Sequence, residues 1–319
     1  MIMKWCLLIL LLICLSSVHV WAAEKRSVTG GGFFPIENDK NLRRFGNRTV
    51  GKMLVRVKGE GQYFGEKQRK RYCRLKSARN IQWELNDLET GEMISRSNNA
   101  EERYFGASVA KLFVAAALLN KQKGNFDEAQ LTLMVRMIVV SSNSAWKELQ
   151  RQTGSDGSDD SGRAAVDAFV QSMGYTNTKG FQGWWQKKNG TRIHGNELNS
   201  AELAKFLYDT YQRRYPGSEV LWEIMQATTT GRRRINKYTP QTVFVGGKTG
   251  TYDGPNSSPA TVHHKHIRAR NHVATLKIGT DIYGLSILSN TGNEEDVAVL
   301  AGGLMREYLG VKPTVGCQQ

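Results

Sequence analysis

The stretch Ser108-Val109-Ala110-Lys111, followed by an apolar run at 112–119, decides how the rest of the chain is interpreted. On a helix, residues three apart lie on the same face, so the Lys111 amine would lie beside the Ser108 hydroxyl. The following run is apolar on every side, which indicates a helix buried inside a domain. Burial lowers the pKa of a lysine, and a neutral amine can activate a serine nucleophile. The same spacing also arises by chance, as a serine N-cap followed by a solvated lysine.

The composition is that of a globular protein with an excess of basic residues. The chain has 319 residues, 40% of them hydrophobic and 23% charged, which is enough for one large domain or two closely packed ones. The formal net charge of +15 would suit an anionic envelope polymer, and solubility alone explains it equally well. No nucleic-acid-binding module is recognisable, so no nucleic-acid partner is expected.

Residues 1–23 have the pattern of a secretory signal peptide. Lys4 is followed by an apolar run at 6–15, and Ala22-Ala23 suits cleavage. The run is too short for a comfortable membrane span, and no later stretch is longer. We therefore expect a secreted or periplasmic protein without an integral span after signal removal. Cys73 and Cys317 then remain, either as a disulfide or as two buried free thiols.

Apolar periodicity predicts strands towards both ends of the chain and helices in the middle. Strands are predicted at 81–85, 92–95, 242–247, 272–276 and 283–288. Helices are predicted at 127–140, 143–152, 163–173, 200–211 and 297–309, and residues 174–199 are predicted to form a long ordered loop. This order predicts an α/β domain made from both chain ends, with an all-helical insertion.

The predicted boundaries follow from this order. They are a signal peptide at 1–23, an N-terminal extension at 24–80, an α/β domain at 81–107 and 236–319, and an all-helical subdomain at 108–235. We assign no chemistry to residues 24–80.

Two further motifs accompany the Ser108 stretch. Ser141-Ser142-Asn143 lies in a break between two predicted helices. Lys248-Thr249-Gly250-Thr251 ends a predicted strand in which Gly246 and Gly247 allow a close backbone approach. The order S-x-x-K, S-x-N, K-T-G resembles that of class A β-lactamases and penicillin-binding proteins. The resemblance covers about residues 81–312, and it implies the β-lactamase/transpeptidase-like fold, with an antiparallel sheet flanked by helices.

The resemblance implies a role for each motif residue. Ser108 would be the acylated nucleophile, and Lys111 would accept or relay its proton. Ser141 would pass a proton towards the leaving nitrogen while Lys248 keeps the local field positive. Asn143 would bond Lys111 and a substrate amide.

The resemblance also implies a binding surface for the substrate. Backbone N–H groups of Ser108 and Thr251 would form the oxyanion hole. Thr249 and Thr251, on the strand that contains Gly250, would bind the substrate carboxylate together with Arg270. No cofactor or metal is implied, and we expect a monomer. Because the terminal helices of related folds lie side by side, a Cys73–Cys317 disulfide is implied.

Two departures from the family pattern bear on function. Ser142 stands where class A β-lactamases have aspartate, and Gly195 stands where their deacylating glutamate would be. Glu197 would serve as that base if the loop register differs; otherwise it is a favourable charge before the helix at Ser200. The histidines of His263-His264-Lys265-His266 could bind a metal, but we interpret them as an exposed loop.

These features lead to one hypothesis with two alternatives. The first is an exported serine hydrolase that forms an acyl-enzyme on Ser108 with a small-molecule β-lactam and hydrolyses it. The alternatives are a D-alanyl-D-alanine carboxypeptidase-like enzyme acting on cell-wall peptides, and a slowly deacylating penicillin-binding sensor domain.

Overall fold

The computed structural model of the chain describes residues 54–186, 192–253 and 268–317. Its helices are α1 Glu66–Lys76, a 3₁₀ turn Ala107–Ala110, α2 Lys111–Lys121, α3 Glu128–Val139, α4 Asn143–Thr153, α5 Asp159–Ser172, α6 Ser200–Tyr211, α7 Ser218–Met225, α8 Ile235–Tyr238 and α9 Glu294–Tyr308. Its strands are β1 Ile81–Asp87, β2 Met93–Arg96, β3 Tyr104–Phe105, β4 Lys179–Gln186, β5 Arg192–Leu198, β6 Phe244–Asp253, β7 Arg268–Ile278 and β8 Asp281–Ser289. The predicted signal peptide and the histidine loop at 263–266 lie outside these residues.

The main sheet is built from both ends of the chain. Its five strands run in the order β2-β1-β8-β7-β6, and each pair is antiparallel. The first hairpin joins the C-terminal strands through β1 and β8, where Trp83 lies opposite Ile287. The predicted α/β fold, an antiparallel sheet from both chain ends flanked by helices, is therefore confirmed.

Helices α1 and α9 pack together with the sheet in one of the two main clusters of buried residues. Tyr72 of α1 and Trp83 of β1 are buried in it, as is most of α9. A disulfide between Cys73 and Cys317 joins α1 to the end of the chain, with the two Cα atoms 5.5 Å apart. The geometry lies within the usual range for such a bridge.

A second cluster surrounds α2, which is buried along its length from Lys111 to Leu119. Its apolar run has no polar face, so stability requires neighbours on every side. Phe113 packs between the rings of Tyr175 and Phe206, and removing such a buried ring typically costs about 3–5 kcal/mol. This packing fixes the helix that carries Lys111.

The prediction of a loop at 174–199 was wrong. Strands β4 and β5 run there and, with β3, form a three-stranded sheet in the order β3-β5-β4. The description of 108–235 as all-helical was therefore also wrong, although the proposed domain boundaries remain predictions. The cause is non-local pairing, because β5 bonds to β3 far away in sequence and not to an adjacent hairpin partner alone.

Two smaller differences concern α7 and β6. Helix α7 was not predicted because nearly all of it is buried, which removes the amphipathic signal. Strand β6 does not end at Lys248; it continues through the K-T-G motif to Asp253. Within the described residues, no helix has the length and hydrophobicity needed to cross a membrane.

Candidate active site

Ser108 lies in a 3₁₀ turn that continues directly into α2. The helix predicted to begin at Ser108 therefore forms, with its first turn as a 3₁₀ helix. Ala107 adopts a φ of 49°, a left-handed conformation that is uncommon for a non-glycine residue. Two buried asparagines hold the turn. Asn271 donates to the carbonyls of Phe105 (2.8 Å) and Gly106 (3.0 Å), and Asn196 donates to the Ala107 carbonyl (3.2 Å).

The Lys111 amine lies at the centre of the site. Its Nζ is 3.1 Å from Ser108 Oγ, 3.1 Å from Ser141 Oγ, 2.7 Å from the Ser141 carbonyl and 2.7 Å from Asn143 Oδ1. An ammonium has only three N–H groups, so these acceptors share its donors. Burial lowers the pKa of Lys111 to about 8. The amine is therefore partly neutral near physiological pH.

The second motif reaches the site through a tight loop between α3 and α4. Ser141 has a φ of 62°, which turns its hydroxyl and carbonyl towards Lys111. Ser142, which stands where the family has aspartate, caps α4 by accepting from the Ala145 N–H at 3.3 Å. Asn143 follows as the first helical residue. Aspartate and serine are equally good N-caps, so the departure from the family motif keeps the cap of α4.

Lys248 completes the arrangement from the sheet. Its buried Nζ donates to Ser141 Oγ (2.9 Å) and to the Thr249 carbonyl (2.8 Å). Burial lowers the pKa of Lys248 well below its usual value, and the charges of Lys111 and Arg234 lower it further. The Ser141 hydroxyl thus lies between the amines of Lys111 and Lys248. This arrangement is suitable for relaying a proton.

Gly250 allows β6 to lie directly against the nucleophile turn. A Cβ at this position would be 2.5 Å from the Gly106 carbonyl oxygen and 3.2 Å from the Val109 nitrogen. Any larger residue would push the strand and the turn apart. The glycine of K-T-G is therefore required by close packing in this chain.

Arg234 contacts the predicted carboxylate-binding strand, although no role was predicted for it from the sequence. Its side chain is only 3% exposed. It donates to the carbonyls of Gly250 (3.0 Å) and Asn271 (2.7 Å) and to Thr251 Oγ1. Arg270, the predicted candidate, instead bonds Asp253 at 2.5 Å and the carbonyls of its own strand and its neighbour. Arg234 was missed because it is one of three consecutive arginines that together suggest a solvated run.

Thr230 and Trp146 also contact motif residues without having been predicted. The Thr230 hydroxyl is 2.6 Å from that of Thr249, and the Trp146 ring centroid is 5.2 Å from Lys111 Nζ. The one available signal was that Trp146 follows Asn143 by three residues on a helix, which places both on one face.

Glu197 does not face the nucleophile turn. It lies in β5 opposite Phe105, between Asn196 and Leu198. Both of those neighbours would contact a Cβ at Gly106, and side chains alternate along a strand, so Glu197 points to the other face. Glu197 lies two residues before Asn199, which caps α6, and Glu202 is the acidic residue in the first turn of that helix. The alternative interpretation of Glu197 as a favourable charge before α6 stays a prediction.

Comparisons with known proteins identify the family and the fold. A family model described as "Beta-lactamase enzyme family" matches residues 127–302. A beta-lactamase structure from Streptosporangium roseum is 20% identical with a TM-score of 0.56, covering 77% of this chain and 99% of that one. An ancestral class A beta-lactamase is 20% identical with a TM-score of 0.53, covering 75% and 96%. At these identities the structures share the fold; no curated protein sequence matches.

Proposed function

The chain belongs to the beta-lactamase enzyme family, and on that premise we propose that it is an exported serine hydrolase that acylates Ser108 with β-lactam-type amides and hydrolyses the product. The observation that carries the proposal is the position of the buried Lys111 amine, 3.1 Å from the hydroxyls of both Ser108 and Ser141. A nucleophile within reach of a base that is itself held by further groups is the usual geometry of covalent catalysis.

Acylation begins when neutral Lys111 removes the proton from Ser108 Oγ as that oxygen attacks the amide carbonyl carbon. With a pKa of about 8, roughly one tenth of the amine is neutral at pH 7. The carbonyl oxygen gains negative charge, which the backbone N–H groups of Ser108 and Thr251 would stabilise. Loss of one such donor typically lowers the rate by about 10²–10³.

The leaving nitrogen needs a proton before the C–N bond breaks. Ser141 would donate it, and Lys111 or Lys248, both hydrogen-bonded to its Oγ, would replace it. The Arg234 guanidinium, which bonds Thr251 Oγ1 and Glu294, places a positive charge at this edge of β6. A substrate carboxylate would bind there to the hydroxyls of Thr249 and Thr251.

Hydrolysis of the acyl-enzyme has no evident carboxylate base among the described residues. Lys111 has no carboxylate partner in that part of the chain, and burial is the cause of its lowered pKa. Lys111 would then have to activate the attacking water itself, so we expect deacylation to be the slower step. The absence of a carboxylate partner at Lys111 among the described residues is the observation that supports a second candidate, a D-alanyl-D-alanine peptidase-like enzyme or a slowly deacylating sensor.

Parallel assays separate these candidates. Steady hydrolysis of a chromogenic cephalosporin supports the β-lactamase activity, whereas release of D-alanine from a cell-wall peptide supports the peptidase. A single stoichiometric burst supports the sensor. In each case Ser108→Ala should abolish the signal; activity that survives this substitution would contradict the serine mechanism.

A further inference from the structure

A cavity of about 540 Å³ lies beside the candidate active site. It is open to solvent and is lined by residues 55–60 and by Val139, Val140, Thr229, Arg232 and Gln241. None of the roles assigned above uses it. Its position and charge indicate what it would bind.

Two lining residues are chain neighbours of groups in the candidate active site. Val140 directly precedes Ser141, whose hydroxyl lies between the two lysines. Thr229 bonds the Val139 carbonyl through its N–H (3.3 Å) and its hydroxyl (3.2 Å), and the next residue, Thr230, bonds Thr249. The cavity is therefore one residue along the chain from the groups that would act on the leaving nitrogen.

The outer wall is held in place by backbone hydrogen bonds to the sheet edge. Val57 accepts from the Val245 N–H at 2.9 Å, and the Gly59 N–H donates to the Val243 carbonyl at 3.0 Å. The segment thus covers the first part of the β6 edge and stops short of the K-T-G motif. A substrate lying along the rest of that edge would reach this segment.

The lining combines basic side chains with apolar ones. Arg56, Lys58 and Arg232 line it together with Glu60, whose carboxylate is 3.5 Å from Arg232 Nε. The Arg232 side chain is 74% exposed, so it is available to a ligand in solution. Val140 is 50% exposed and supplies apolar contact. A ligand that matches this lining carries a negative charge next to a small apolar group.

We propose that this cavity is a leaving-group subsite for an extended peptide that carries a carboxylate beyond the scissile bond. The inference rests on the proposed function, since it assigns Ser141 to the leaving group. It deepens that function by naming a substrate class: acidic peptides that continue past the cleaved amide, in preference to those that end one residue after it.

Binding to the Ser108→Ala chain tests this without any turnover. Two C-terminally amidated peptides, one ending in D-Ala-D-Ala-D-Glu and the other in D-Ala-D-Ala-D-Gln, differ only in whether a carboxylate follows the scissile bond, and both would be titrated by calorimetry. The acidic peptide should bind about threefold to tenfold more tightly, since exposed ion pairs are individually weak. The preference should shrink as the salt concentration rises.

Charge reversal locates the effect. Arg56→Glu combined with Arg232→Glu should abolish or invert the preference, while Arg74→Glu, a matched reversal on α1, should keep it. Equal affinities for the two peptides, absence of binding, or a preference that survives the double reversal would overturn the subsite. With Ser108 restored, penicillin should still acylate the double variant, which shows that it folds. Absence of such acylation in the unmodified chain would count against the proposed function instead.

Discussion

The two sides of the Ser108 turn differ in the partners of their polar groups. On the α2 side, Lys111 bonds the side chains of Ser108, Ser141 and Asn143. On the β5 side, Asn196 donates to the Ala107 carbonyl, but its Oδ1 is buried without a hydrogen-bond partner among the described residues. The groups needed to form an acyl-enzyme are therefore pre-organised, whereas no carboxylate among the described residues is placed in the same way to hydrolyse it.

The largest effect is expected from Lys111→Met, which keeps most of the unbranched apolar stem and removes the base. Acylation of Ser108 should slow by about 10²–10⁴-fold, the usual contribution of a general base. Stopped-flow measurement with a fluorescent penicillin reports this step. An acylation rate within tenfold of the unmodified chain would show that another group activates Ser108.

The pH dependence of the acylation rate tests the protonation state of Lys111. Because the neutral amine is the reactive form, the second-order acylation rate should rise with pH and level off above an apparent pKa of about 8. The opposite trend, a rate that falls as pH rises from 6 to 9, would mean that protonated Lys111 is the active form. The acylation rate would be measured between pH 6 and pH 9 in buffers of constant ionic strength.

Arg234→Lys should weaken substrates that carry a carboxylate next to the scissile amide. Arg234 bonds Thr251 and the Gly250 carbonyl, and lysine cannot reproduce the planar fork. We expect KM to rise about tenfold to 100-fold, given charge-assisted hydrogen bonds of about 1.5–3 kcal/mol. Arg270→Lys is the matched control and should change KM by about twofold or less, because Arg270 bonds the exposed Asp253 and makes no bond to Thr249 or Thr251. A larger rise in KM for Arg270→Lys than for Arg234→Lys would support Arg270 as the carboxylate-binding residue, as the sequence predicts.

The β5 side is tested by neighbouring substitutions. Asn196→Ala removes the hydrogen bond to the Ala107 carbonyl, so acylation should fall by about fivefold to tenfold. Glu197→Gln should alter acylation and deacylation by about twofold or less, since the side chain faces away. Single-turnover kinetics separates the two steps. A large loss of deacylation in Glu197→Gln would identify it as the missing base.

The sequence predicted those contacts of the site that join residues close to each other along the chain. The Ser108–Lys111 contact follows from helical spacing, and the buried run after it predicts the lowered pKa of the lysine. The contact between Lys248 and Ser141 spans 107 positions, and only the resemblance of three ordered motifs linked them beforehand.

The remaining groups escaped prediction because long-range packing determines them. Asn196 reaches the nucleophile turn through the β3–β5 pairing, which no local period reveals. Arg234 is distinguished from its two exposed neighbours only by burial against β6 and β7. A single chain therefore predicts the catalytic motifs well and the residues that support them poorly.

Intact-mass spectrometry over time after adding a penicillin tests most directly whether Ser108 is acylated. We predict a mass increase of one penicillin per chain, mapped to Ser108 and absent in Ser108→Ala, that appears faster than it disappears. A chain that gains no covalent mass, or gains it equally in Ser108→Ala, would contradict the central claim that Ser108 is acylated.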